Sequence, residues 1–239
     1  MTALDANVGR LLDWLEAHGL REDTLVIFTG DNGMNMGHHG LYGKGNASFP
    51  LNMYDTSVKV PMIMSQPGAV AQGAVNRDLL SHYDLLPTLL ARVGLADAVP
   101  AGLPGRSFAR LLGVDAPAPA PNDLVVSIYD EYGPVRMIRT HDWKYVHRYP
   151  YGPHELYHLA EDPDETHNLI HEAAQQPRIR ALKGELDDWF LRHVDPRVDG
   201  AREPVTGKGQ LGLAGVAARG APAFADDWRY LSDTPDARR

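Results

Sequence analysis

Two short stretches carry the side chains with the most chemical potential. In Thr24-Leu25-Val26-Ile27-Phe28-Thr29-Gly30-Asp31-Asn32-Gly33 an apolar run stops at an aspartate and an asparagine. A carboxylate beside an amide carbonyl offers hard oxygen donors, which suit Ca2+ or Mg2+ better than zinc, an ion that favours imidazole or thiolate. The same residues also make a plain strand-to-loop turn in which the side chains cap their own backbone. Further on, Lys44 sits in Tyr42-Gly43-Lys44-Gly45-Asn46, between glycines that let a ligand approach the backbone closely. An ammonium there is a compact charge for an oxyanion; it is equally what an exposed turn lysine looks like. His38 and His39 are open to use as general acid, ligand or surface residue, and residue type alone does not separate these.

The chain as a whole narrows the options. Its 239 residues include no cysteine, which excludes disulfides, thiolate zinc sites, iron–sulfur ligation and a cysteine nucleophile within it. Asp and Glu number 31 against 23 Lys and Arg, a formal charge of −8. With no basic cluster to release counterions from phosphates, nucleic acid is not an expected partner. No apolar stretch approaches the roughly 18 to 20 residues that cross a bilayer. The opening MTALDANVGRLLDWLEAHGL lacks the basic start, apolar block and cleavage site of a secretory signal.

The elements that must position these residues follow an α/β order. Val8, Leu11, Leu12 and Leu15 make one apolar helical stripe, with Gly19 placed to end it. The unbroken run 24–29 predicts a parallel-type strand buried on both faces, with Asp31 and Asn32 emerging at its carboxyl end. Val60 to Met64 reads as a second strand, with Pro61 at its start or on an edge. Leu85, Leu86, Leu89 and Leu90 mark a helix from about 84 to 93. After a Pro/Ala linker at 113–122, short strands at 124–129, 135–140, 143–148 and 155–159 predict a small antiparallel sheet. A helix follows at 177–193, then a glycine- and alanine-rich tail from about 198 to 239 that reads as loosely ordered. The predicted domains are therefore 1–112, an incomplete α/β layer, and 123–197, a small antiparallel α+β unit. Two strands are too few to cover two helices, so exposed apolar surface is expected on Val8, Leu11, Leu15 and strand 25–29.

Other patterns read as decoys: a motif without its elements, solvated or satisfied histidines, and packed aromatics. Gly207-Lys208-Gly209-Gln210-Leu211-Gly212 fits G-x-G-x-x-G but has no strand ahead of it. His141, His147, His154, His158 and His167 match no common zinc spacing. Trp143, Tyr145, Tyr157, Trp189 and Phe190 read as sheet and core aromatics.

Taken together, TLVIFTGDNGMNMGHHGLYGKG resembles the second metal-site segment of the sulfatase family, in the alkaline-phosphatase-like superfamily. NMYDTSVKVPMIMSQPG resembles the family's next strand, LLSHYDLLPTLLARVGL its D-L-x-P-T-L-L helix, and MIRTHDWKYVHRYPYGPHELYHLAEDPDETHNL its carboxy-terminal subdomain. The resemblance implies an alkaline-phosphatase/sulfatase-like α/β fold and hydrolysis of a sulfate ester, on a small molecule or a glycan, with a bound divalent ion, usually Ca2+ and otherwise Mg2+. It implies that Asp31 and Asn32 ligate the metal, that Lys44 binds the sulfate group, and that His39 serves the loop or the leaving group.

The same family uses a formylglycine made from Cys or Ser in C/S-x-P-x-R, together with upstream aspartates that complete the metal site. Here the nearest sequence is Ser65-Gln66-Pro67-Gly68-Ala69, with alanine in place of arginine. No catalytic nucleophile is therefore identified. The expectation is the carboxy-terminal half of such an enzyme, with little or no activity alone, or half of a split protein completed by another chain. A noncatalytic binding module and a phosphodiesterase or phosphonate monoester hydrolase of the same superfamily are the alternatives. The chain as it stands reads as cytoplasmic, and as periplasmic or secreted if an amino-terminal segment has been lost.

Overall fold

The computed structural model describes residues 2–48, 50–115, 124–129, 134–197 and 199–202. The chain forms two compact units, one from residues 1–32 and 60–122, the other from 33–59 and 123–239.

The first unit opens with helix α1 (Thr2–Ala17), which ends at Gly19 in the left-handed conformation at φ 64°. Strand β1 (Val26–Thr29) pairs with β4 (Met62–Ser65), with Val26 opposite Ser65 and Thr29 opposite Met62. Pro61 lies just ahead of β4, where its missing N–H does not interrupt the ladder. The pair is antiparallel, not parallel as the apolar run predicts, and β1 is half-buried throughout. An unbroken apolar run says that both faces avoid water; it does not set the direction of a neighbour. Here the chain leaves β1, makes the long excursion 33–59 and returns reversed. The α1 stripe is also split: Leu15 is buried, Val8 and Leu12 are half-buried, and Leu11 is exposed. Leu4, Val8, Leu12, Val26, Phe28 and Ile63 line an apolar groove of about 550 Å³ between the helix and the strands.

Helix α3 (Leu85–Arg92) follows a 3-10 turn, with Pro87 in its first turn as the pattern requires. The buried Asp84 carboxylate ahead of it accepts N–H bonds from Ser81 and Arg106, both at 2.8 Å. Burial raises this carboxyl above its ordinary value against the pull of those two donors.

The second unit is built on a meander, β5 (Val125–Tyr129), β6 (Val135–Arg139), β7 (Trp143–Arg148) and β8 (Glu155–His158), antiparallel throughout. Strand alternation sends neighbours to opposite faces. Ile138 and Tyr145 join Leu156 under Leu182, Leu186 and Phe190 of helix α4 (Gln176–His193). Val135, Met137 and Val146 face the other way and pack with Leu51 and Met53. Residues 33–59 thus form a strap over the second face of the sheet. It contains the short pair β2 (Asn35–Met36) and β3 (Tyr42–Gly43) and the helical turn α2 (Asp55–Val58). The four strands and α4 match their predicted spans. Residues 116–123, most of the predicted linker, and 203–239, which include the G-x-G-x-x-G match and nearly all of the predicted tail, lie outside the described residues.

Candidate functional site

Asp31 and Asn32 follow β1 in the first unit, Asp31 exposed and Asn32 half-buried. The Asn32 N–H donates to Asp31 Oδ1 at 2.8 Å, so the local turn expected of Asp-Asn-Gly is present. Carboxylate and amide oxygens are the right kind of donor for a hard cation. They are too few alone: Ca2+ takes about 6 to 8 oxygens, and among the described residues no three His, Cys, Asp or Glu side chains gather into a metal-binding group.

Ser65, the nearest counterpart of a nucleophile-motif residue, ends β4 and accepts a bond on Oγ from Arg21 Nη2 at 2.5 Å. That hydroxyl ties the turn after α1 to the strand. Gly68 and Ala69 supply no guanidinium three and four residues on.

Lys44 and His39 lie on the strap in the second unit. Lys44 precedes a 3-10 turn at Gly45–Ala47, and its side chain is exposed with no ion-pair partner among the described residues. Its main chain is tightly held. The Ala47 N–H donates to the Lys44 carbonyl at 2.9 Å, and buried Asn52 donates from Nδ2 and from its backbone N–H to the Gly45 carbonyl, both at 3.0 Å. Asn52 Oδ1 accepts from Ser57 Oγ at 2.5 Å, and Ser57 Oγ accepts from Asn35 Nδ2 at 2.7 Å. Thr56 Oγ1 completes the set by donating to Asn35 Oδ1 at 2.6 Å. Asn35, Asn52 and Ser57 are all buried, so each unmade bond would carry a desolvation penalty that keeps the arrangement single-valued. Gly33 fits the same construction: its N–H donates to the Ser57 carbonyl at 2.9 Å, and a Cβ there would collide with the Thr56 carbonyl.

His39 adopts φ 52° and ψ 22°, an uncommon conformation for a residue with a Cβ. Its ring stacks on Tyr54 at 3.6 Å between centroids and 7° between planes. Partial burial lowers its imidazole below the ordinary value and the His38 charge adds to this, while Asp164, Asp162 and Glu155 pull the other way. His38 is exposed, with Nδ1 accepting from the Met36 N–H at 3.3 Å.

Sequence reasoning missed what lies under this strap. Lys144 is fully buried, with Nζ donating to Asp55 Oδ1 at 2.5 Å and to the Met53 carbonyl at 3.0 Å, and forming an ion pair with Glu165 Oε1 at 2.6 Å. Arg139 reaches both Asp55 oxygens, at 3.3 and 3.2 Å, and the Asp55 N–H donates to Glu165 Oε2 at 2.6 Å. Burial alone would raise the Asp55 carboxyl; Lys144 and Arg139 outweigh it and hold the group below its ordinary value. For Glu165 burial prevails and the value rises. Asp55, Lys144 and Glu165 lie far apart in the chain, so no local spacing marks the cluster.

Of the scattered histidines, His147, His154 and His158 stack on neighbouring rings while His141 and His167 are exposed; the aromatics pack. His147 stacks on His154 at 4.2 Å, Trp143 lies between His158 and Arg178, and Tyr145 and Phe190 belong to the core. In Asp162-Pro163-Asp164-Glu165-Thr166-His167-Asn168, Asp162 caps Thr166 and His167, and Asn168 Oδ1 accepts the Leu156 N–H at 2.9 Å.

Comparison with known proteins bears on the whole chain. A family model described as N-sulphoglucosamine sulphohydrolase, C-terminal, matches residues 37–191. An N-acetylglucosamine-6-O-sulfatase from Bacteroides thetaiotaomicron is 29% identical over 219 residues, 88% of this chain and 38% of that protein. A choline-sulfatase from Rhizobium meliloti is 32% identical over 195 residues, 80% of this chain and 36% of that protein. Among solved structures, one in complex with its substrate D-glucosamine-2-N,6-O-disulfate aligns with a TM-score of 0.72 at 27% identity, covering 85% of this chain and 41% of that one. A phosphonate monoester hydrolase of Agrobacterium radiobacter aligns at 0.69 and 27%, covering 80% and 40%. The fold is thus that of the alkaline-phosphatase-like superfamily, and the chain spans about two-fifths of the length of these relatives. It belongs to the N-sulphoglucosamine sulphohydrolase C-terminal family, the carboxy-terminal part of the sulfatases.

Proposed function

We propose that this chain is the carboxy-terminal part of a sulfuric ester hydrolase. In this reading Lys44, assisted by His39, binds the sulfate group of a sulfated glycan or a small sulfate ester, and Asp31 with Asn32 contributes oxygens to a divalent cation, Ca2+ before Mg2+. The observation that carries it is Lys44 itself. Its exposed ammonium, with no carboxylate partner among the described residues, stands on a turn fixed by a buried Asn35–Ser57–Asn52 network. A lysine that merely decorates a surface has no need of such a base. A flexible ammonium on a rigid turn is suited to an oxyanion. The similarity extends to a choline-sulfatase as well as to a sulfatase of an amino sugar, so a small sulfate ester and a glycan both stand as substrate classes.

The remaining metal oxygens and the nucleophile must come from sequence beyond these residues, on a longer polypeptide or on a complementing chain. The 239-residue protein is accordingly expected to turn over no nitrophenyl sulfate, with or without Ca2+. Robust turnover would show that a nucleophile is already present. The sulfate reading is tested by titrating sulfate into the protein and following backbone amide resonances at 43–47. Shifts that saturate and vanish in Lys44→Ala support it; shifts that persist unchanged in that variant overturn it. The phosphonate monoester hydrolase likeness gives a second reading, and methylphosphonate used as competitor separates the two. Stronger competition by methylphosphonate than by methyl sulfate would favour phosphonate chemistry.

A further inference from the structure

Every conspicuous feature of the strap converges on α2. Asp55, its first residue, is held on the side chain by Lys144 and Arg139 and on the backbone N–H by Glu165. Glu165 presents its carboxylate from a backbone at φ 54°, uncommon for a residue with a Cβ. The residue before Asp55 is Tyr54, whose ring is the stacking partner of His39. The residues after it are Thr56 and Ser57, which bond Asn35 and Asn52 beneath the Lys44 turn. Removing water from four charged groups is expensive, and a tight apolar contact would hold a loop as well. What a charge cluster adds is a single geometry, because each of its bonds must be made with a given oxygen in a given direction.

We propose that the buried Asp55–Lys144–Glu165 cluster, with Arg139, is a positioning device that sets the His39 ring through Tyr54 and the Lys44 turn through Ser57. Asp55, Lys144 and Glu165 are positioning residues: the described contacts tie them to the strap, and they act on a sulfate ligand only through it. The proposal rests on the sulfate-binding reading for its purpose. Its geometry is tested without any sulfate, so either can fail while the other stands.

The experiment uses the full 239-residue chain in four versions: unchanged, Asp55→Asn, Tyr54→Leu and Ile138→Val. The last is a stability control, because Ile138 faces α4 and touches none of the strap bonds. Two signals are read by NMR: the His39 ring-proton resonance, displaced by the face of Tyr54, and amide hydrogen exchange at Ala47, Asn52 and Ser57. Tyr54→Leu is expected to abolish the His39 displacement while exchange at Ala47 and Asn52 stays as before. Asp55→Asn is expected to abolish it too, and to speed exchange at all three amides by about tenfold or more through local opening. Ile138→Val should lower the melting temperature and leave both signals in place. If Asp55→Asn prevents folding, Arg139→Gln removes only the outermost pair and should weaken both signals part of the way. The proposal is overturned if Asp55→Asn or Arg139→Gln leaves both signals unchanged in a folded chain, or if Ile138→Val moves them as far.

Discussion

In the second unit a sheet is buried on both faces; in the first, the strand pair is no more than half-buried on either. Val126, Ile138, Leu156, Leu186 and Phe190 are buried on the α4 side, and Leu51, Met53, Met137 and Val146 on the strap side. The first unit buries Leu15, Phe108, Ala109 and Leu112 but leaves Leu4, Leu11, Trp14, Leu20, Ile63, Leu86 and Leu89 exposed. Each fully buried large aliphatic side chain is worth about 1.5–3 kcal/mol, and a half-exposed one a fraction of that. The difference teaches where the stability resides: the second unit carries its own core, and the apolar surface of the first is unmatched by the described residues. The strap bearing Lys44 and His39 is fastened to the self-sufficient unit, so these residues can be held in place whatever happens to the first.

The sharpest way to break this contrast is Lys144→Met. It leaves Asp55 and Glu165 facing each other without their shared cation, and such one-sided removal costs about 3–5 kcal/mol. Denaturant unfolding followed through Trp143 and Trp189 should show most of the second unit's stability gone. Lys144→Met together with Asp55→Leu, Glu165→Gln and Arg139→Met should recover part of it, because no unpaired charge of the cluster then remains. Next comes Leu186→Ala, at 0% exposure in the α4 core, with an expected loss of about 2–5 kcal/mol by the same assay. A loss under about 1 kcal/mol would mean that the second unit is no better packed than the first.

A pH dependence sharpens the comparison further. Burial pushes the His147 imidazole down to about 4, with its stacked neighbour His154, Lys183 and Arg136 acting in the same direction and Asp187 against them. A folded value below the ordinary 6.5 means that the unfolded chain takes up the proton first. The contribution of His147 to the stability of the second unit is therefore full above about pH 6.5, falls as pH drops from 6.5 toward 4, and is flat below. The shift taken at face value corresponds to ~3 kcal/mol; with the ring only half withdrawn from solvent, about 1–2 kcal/mol is expected. His147→Phe also removes the 2.7 Å bond to the buried Tyr145 hydroxyl, a loss that does not vary over this range, so the difference in melting temperature between parent and variant should move in the variant's favour as pH falls from 7.5 to 4.5.

These same residues show how far the sequence could be read. Strand alternation and the Leu182/Leu186/Phe190 spacing located the meander and α4, because local period determines which face is apolar. Asp31-Asn32, His38-His39 and Gly43-Lys44-Gly45 were visible as residue types. What was not legible was the burial of Lys144 and Arg148, two cations that alternate with Val146 along one face of β7. Such a face reads as solvent-exposed. It is covered because residues 33–59 bring the carbonyls of Leu51 and Met53 to those cations. Partners so far apart in the chain leave no periodic trace. The direction of the β1–β4 pair was missed for a related reason, since the intervening excursion, not the apolar run, decides it.

The smallest effect is expected where the contrast is most easily refuted. Leu11 is 55% exposed on α1, between Val8 and Leu15 on the apolar stripe. If the described fold already satisfies the first unit, Leu11→Lys removes little buried surface and changes the melting temperature by no more than an exposed substitution does, within about 0.5 kcal/mol. The exposed stripe should instead reveal itself in association. A contiguous apolar surface of this kind promotes self-contact, and one lysine on it introduces a charge that such contact would have to desolvate. Sedimentation at rising concentration should therefore show less association for Leu11→Lys than for the parent, with equal stability. Equal association in both would place the adhesive surface elsewhere, and a large loss of stability would mean that Leu11 is covered in solution after all.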